Sequence, residues 1–199
     1  MIELEKLDQM QTELYRYDVI DGGWEGDPAG QNLSQSINAN LTHVGFHLSD
    51  VIDRKDFSKP ETIEDEIAPD SMQYALRFAR WCGVGLNEII PRPEPYGNFD
   101  VAQVMQIIEA PRNPGRIAFN SFIRANGILA RQLHAEDHVR TVEQAELDRA
   151  KNIRDVSALL VQSACVQAEW LGLDLQYAFQ ARIDFLRDRF NVPDSRVQS

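Results

Sequence analysis

Two pairs of side chains in the first half of the chain combine the residue types and the spacing for metal chemistry: His43 with His47, and Glu66 with Asp70. Members of each pair stand four residues apart. On an α-helix that puts them about 40° apart around the axis and one turn along it, so each pair projects from one face. Asp50 and Asp53 follow His47. Crowded carboxylates repel, and like charges at this spacing cost a helix about 0.2–0.5 kcal/mol. A divalent cation removes that cost and supplies a Lewis acid for phosphoryl chemistry. Oxygen ligands alone suit Mg²⁺ or Mn²⁺, whereas imidazole shifts the preference toward Mn²⁺, Zn²⁺ or Ni²⁺. A structural account is also open: His47 and Asp50 as a surface pair, and the acids of residues 61–65 as a helix-start cluster favoured by the macrodipole. His134 and His138 repeat the spacing around Glu136 and Asp137, near the end of an apolar pattern, where a solvated helix terminus explains them.

The pairs meet only if two antiparallel helices carry them. Residues 31–54 supply one, with an apolar stripe of Ile37, Leu41, Val44, Leu48 and Val51 beside a polar edge holding His43, His47 and Asp50. A turn ending in Pro60 leads to the next pattern. Its apolar face is Ile63, Ile67, Tyr74, Phe78 and Trp81, and its polar face is Glu66, Asp70, Gln73, Arg77 and Arg80. Pro69 is tolerable in a first helical turn but not deeper, because it removes a hydrogen bond and clashes one turn back. A helix starting near Glu66 meets that condition; one starting at Pro69 leaves Glu66 outside. Gly83 stands where a left-handed C-terminal cap belongs.

Elsewhere, Leu4, Leu7, Met10, Leu14 and Tyr17 predict a first helix over 3–17. A glycine-rich loop follows, in which Trp24 either stacks on a ligand or pins the loop to the core. Three prolines and a glycine in PRPEPYGN, 91–98, mark a linker. Helical patterns then run over 99–110, 115–139, 144–171 and 174–190. No stretch alternates with period two, so the expected fold is all-α, without a sheet.

One phrase occurs twice. Ala79-x-Trp81-x-Gly83-Val84-x-Leu86 matches Ala168-x-Trp170-x-Gly172-Leu173-x-Leu175. Tandem copies predict two helical halves, residues 1–91 with the candidate site and 99–199, joined by 92–98 and packed as an internal pseudo-dimer. The alternative is that antiparallel helices commonly end in an aromatic residue and glycine.

At 199 residues and 43% hydrophobic, the chain can bury a sizeable core. A net charge of −11 disfavours a nucleic-acid polymer, whose phosphates attract Lys and Arg, yet permits a phosphorylated ligand through a bound cation. No apolar run spans a bilayer, and the N-terminus lacks a signal-peptide pattern, so no membrane partner and a cytoplasmic location are expected. Cys82 and Cys165 are expected as buried free thiols.

The order helix, loop, helix, turn, then EIAPDSMQYALRFARWCGVGLNEII resembles the MazG-like all-α nucleoside triphosphate pyrophosphohydrolases, and WLGLDLQYAFQARIDFLRDRF is similar to the same family's G-[ILV]-D-L segment. The resemblance implies an intracellular Mg²⁺-dependent (or Mn²⁺-dependent) enzyme that cleaves a nucleoside triphosphate to monophosphate and pyrophosphate; a homodimer is one assembly compatible with it. In that family four acidic residues, two on each of two helices, hold the metal. Together with the pairs above, this makes Glu66 and Asp70 the expected catalytic carboxylates and His43, His47, Asp50, Glu66 and Asp70 the expected metal set, with Asp50-x-x-Asp53 as an alternative register on the second helix. Asp70 matches the ExxD aspartate. Ile67 stands at the ExxD glutamate position with Glu66 beside it, and His43 and His47 stand where the family has acids. Competing expectations are a non-catalytic helical member binding a nucleotide or a protein, and an unrelated helical bundle with a His/carboxylate transition-metal site.

Overall fold

The computed structural model describes residues 2–23, 66–90, 124–125, 127–132 and 142–197. Apart from turns and irregular ends these are helical, with no strand among them: α1 (Leu4–Tyr15) continuing as a π-helical turn (Arg16–Ile20), α2 (Ala68–Trp81), α3 (Leu86–Ile89), α4 (Val142–Leu171) and α5 (Leu175–Phe190). The fold is all-α, as the periodicity predicts. No described helix is long and apolar enough to cross a membrane. The stretches carrying His43, His47, Asp50, Trp24, His134, His138 and the 92–98 linker lie outside the described residues.

In α1 the three- and four-residue spacing buries Leu7, Met10, Leu14 and Tyr17, while Leu4 is 48% exposed at the fraying first turn. In α4 the same spacing buries Ile153, Val156, Leu160, Val161, Ala164 and Ala168 along a helix of about 45 Å. That stripe packs on α2, and Ala125 and Leu129 join the same core. Asn152 donates to Gln132 at 2.6 Å, tying the 127–132 segment to α4.

Helix α2 sits at the centre, against α1, α4 and α5. It starts at Ala68, with Pro69 in its first turn and Glu66 in a π-helical turn just before it. The proline is therefore in the position where a missing N–H costs least. Every residue from Ala68 to Ala79 is buried. The polar face read from the sequence is thus no solvated face: Asp70, Gln73 and Arg77 are as enclosed as Met72 and Phe78.

The repeated phrase forms the same cap twice. Gly83 and Gly172 have φ of 64° and 66°. The Val84 amide donates to the Ala79 carbonyl and the Leu173 amide to the Ala168 carbonyl, both at 2.8 Å. This six-to-one bond with a left-handed residue inside it is the Schellman arrangement. Asn191, at φ 53°, builds a third copy without the phrase, Val192 donating to the Arg187 carbonyl at 2.9 Å. Cap geometry therefore needs no duplication, and after the caps the halves diverge: α3 has 4 residues and α5 has 16. Cys82 and Cys165 are free thiols, but half-buried rather than fully buried. Burial pushes the Cys165 thiol pKa up.

Candidate functional site

Of the five expected site residues, Glu66 and Asp70 fall among the described ones, and the structure brings both to one side chain, Arg182 of α5. The guanidinium forks onto Asp70, Nε donating to Oδ1 and one terminal nitrogen to Oδ2, each at 2.9 Å. Its other terminal nitrogen stands 3.6 Å from Glu66 Oε1. Gln73 donates to Asp70 Oδ1 at 3.3 Å. Asp70 and Arg182 are each 6% exposed at the side chain, whereas Glu66 keeps 29%. Burial alone would lower the Arg182 pKa; the hydrogen bond and charge of Asp70, with Glu66 behind, outweigh it and raise the pKa.

This arrangement divides the roles of the two acids. Asp70 accepts on both oxygens from a guanidinium, which leaves it engaged as placed. Glu66 is the accessible carboxylate. It lines, with Arg182, one end of a groove of about 340 Å³ against the outer face of α5. Asp174 and Tyr177 line the other end, Ala178 and Ala181 the floor, and Phe185 flanks Arg182, whose guanidinium lies 5.4 Å from the Phe185 ring centroid.

Two further buried pairs continue the polar layer where α1, α2 and α5 meet. Asp18, held inward by the π-helical turn, accepts from Arg77 at 3.0 and 2.8 Å and from Arg80 at 2.8 Å. Asp21 accepts from Arg187, which also donates to the Pro193 carbonyl, and from the Ser195 amide. Tyr17 stands between these pairs, and Tyr74 between Arg77 and the Asp70–Arg182 pair. Burial is the main reason that the Tyr74 pKa is pushed up to about 12, with Arg77 pulling it down and Asp70 adding to the rise.

Among the described residues no group of three or more His, Cys, Asp or Glu side chains is gathered as a metal centre. Glu66 and Asp70 are hard oxygen donors, the kind that Mg²⁺ or Mn²⁺ takes, and Arg182 fills the place between them. Carried back from the repeated phrase, the register sets Asp155 against Glu66 and Leu159 against Asp70; Asp155 is half-buried beside Arg154 at 3.5 Å.

Sequence reasoning missed Arg182, Asp174, Tyr177 and Phe185. A signal for Arg182 was there. It stands at core spacing with Leu175, Phe179, Ile183 and Leu186, and a cation in that register demands a buried counter-charge. No family model, curated protein or solved structure matches the chain.

Proposed function

We propose that the protein is a metal-dependent nucleotide pyrophosphohydrolase of the MazG-like kind, converting a nucleoside triphosphate to the monophosphate and pyrophosphate. The observation that supports it is the convergence of Glu66 and Asp70 on a single cationic group at the end of a groove large enough for a small ligand. Glu66 would hold Mg²⁺ or Mn²⁺, joined by Asp70 once Arg182 releases one of its oxygens, with His43, His47 and Asp50 as the remaining expected ligands. Bound there, the ion supplies a Lewis acid that neutralises phosphate oxygens. Glu66, the more accessible carboxylate, orients the attacking water. Asp70 fixes charge and geometry from its buried position on α2, and Arg182 keeps both acids aimed at one point.

A second reading is favoured by the fork itself. Both oxygens of Asp70 accept from Arg182, as in a structural ion pair, so a non-catalytic helical protein that binds a nucleotide or a protein partner also accounts for the geometry. One assay separates the two. Nucleoside triphosphates are incubated with the protein and Mg²⁺ or Mn²⁺, and pyrophosphate is measured. The hydrolase reading expects metal-dependent release that falls at least about a hundred-fold in Glu66→Gln, a loss typical of removing one positioned proton-transfer group. No release at high protein concentration, or release unchanged by that substitution, leaves the binding reading.

A further inference from the structure

The outer face of α5 carries a feature that the pyrophosphohydrolase reading does not use. Tyr177 is 75% exposed and Phe185 is 48% exposed. Eight residues of helical rise separate them by about 12 Å, and the floor between them is cut down to Ala178 and Ala181. Aromatic side chains at this exposure give up contact area to water unless something covers them. The groove also has a polarity. Its Arg182 end holds Glu66, with Asp70 buried behind Arg182. Its other end meets Asp174, the residue preceding α5.

Asp174 caps α5 through one oxygen. The Gln176 and Tyr177 amides donate to Oδ1 at 3.0 and 3.1 Å. Among the described residues Oδ2 receives no hydrogen bond. An ionised carboxylate is acceptor-only. Beside a free aromatic face it complements a planar ring bearing an amino group at its edge and repels one bearing a carbonyl oxygen there.

We infer that this groove holds the base of the nucleotide, stacked on Tyr177 and read by Asp174 Oδ2, and that it selects bases with an exocyclic amino group over those with a carbonyl in the same place. Cytosine and uracil make the sharpest pair, because they share a ring and differ at that edge in amino against carbonyl. The phosphates then run toward the Arg182 end, where Glu66 and Asp70 lie. The inference rests on the nucleotide reading above, but it concerns binding and not turnover.

The test is binding of CMP and UMP to the full chain, followed by ligand-observed NMR, beside pyrophosphate release from CTP and UTP. CMP should bind about ten-fold more tightly than UMP, the discrimination of one good base contact. Asp174→Asn keeps an oxygen for the helix cap but is no longer acceptor-only, and should bring the ratio to about one. Tyr177→Ala removes an exposed ring without touching the core, and should weaken both ligands about ten-fold through lost stacking. Equal binding of CMP and UMP, a ratio that survives Asp174→Asn, or affinity untouched by Tyr177→Ala overturns the base site. Selective binding without pyrophosphate release sinks the hydrolase reading and keeps the base site. Release from both triphosphates without selective binding does the reverse.

Discussion

Helix α2 has two buried sides built on different physics. Toward α4 it presents an apolar seam, packed on Ile153, Val156, Leu160 and Val161. Toward α1 and α5 it presents Arg77 and Asp70, each in a forked ion pair with a residue distant in sequence. The apolar seam draws its stability from area removed from water and tolerates apolar side chains of similar volume. The ionic seam gains little net stability, because desolvating the charges offsets their attraction, but it penalises every arrangement that leaves one charge alone. One side of α2 holds the bundle together, and the other selects which helices meet and at which height.

The largest expected effect breaks this asymmetry from the ionic side. Asp18→Ala withdraws the carboxylate that accepts from both Arg77 and Arg80, and should cost about 3–5 kcal/mol in urea unfolding. Replacing Asp18, Arg77 and Arg80 together by Leu, Met and Met should restore most of that, since the penalty lies in the orphaned charges and not in a lost bond. On the apolar side, Leu160→Ala should cost about 2–5 kcal/mol with no such rescue by a second change. An Asp18→Ala loss below about 1 kcal/mol, the range of exposed pairs, would show that the ionic seam does not select the packing.

A smaller effect follows from Tyr74, which stands in the ionic seam. Its phenol holds the proton to about pH 12, chiefly through burial, whereas an unfolded tyrosine releases it near pH 10. Between those values the unfolded chain binds fewer protons than the folded one, so stability is full below about pH 10 and declines as pH rises toward 12. The decline should total about 2–3 kcal/mol. Tyr74→Phe removes this contribution, so the fall in unfolding midpoints from pH 9 to 12 should be smaller in the variant, leaving the part due to buried Tyr17. A wild-type profile identical to the variant's would mean the phenol is not enclosed by the seam.

The same asymmetry explains what was legible in the sequence. Apolar spacing identified α1, α4 and α5 and the end of α2, because burial of aliphatic residues is a local signal with a helical period. The sides of α2 were harder. Asp70, Gln73 and Arg77 form a polar stripe on a helical wheel, and a polar stripe ordinarily faces water. Their partners are remote, 59 residues away for Arg77 with Asp18 and 112 for Asp70 with Arg182, so nothing near them marks the stripe as interior. Glu66 and Asp70 could be chosen as a pair from their spacing. That an arginine answers them could be read only from α5, where Arg182 interrupts the run of Leu175, Phe179, Ile183 and Leu186.

The smallest effects concern the repeated cap, where the two halves look most alike. A Cβ at Gly83 or Gly172 meets no atom within 4 Å, so an alanine there is penalised only by the left-handed backbone, about 1–2 kcal/mol at either site. The caps differ in what they release. Gly83 leads into a four-residue helix, whereas Gly172 leads into α5, which carries Arg182 and Arg187 into the ionic seam. Gly172→Ala should therefore cost about 1 kcal/mol more than Gly83→Ala, the excess coming from weakened charge-assisted bonds rather than from the turn. The measurement is a pair of urea titrations, repeated with Arg182→Met and Asp70→Leu together as background. If the excess disappears in that background, the second cap sets the height of α5 against α2. If Gly83→Ala and Gly172→Ala cost the same in wild type, the caps act alone and the echo in the sequence is only a shared way of ending a helix.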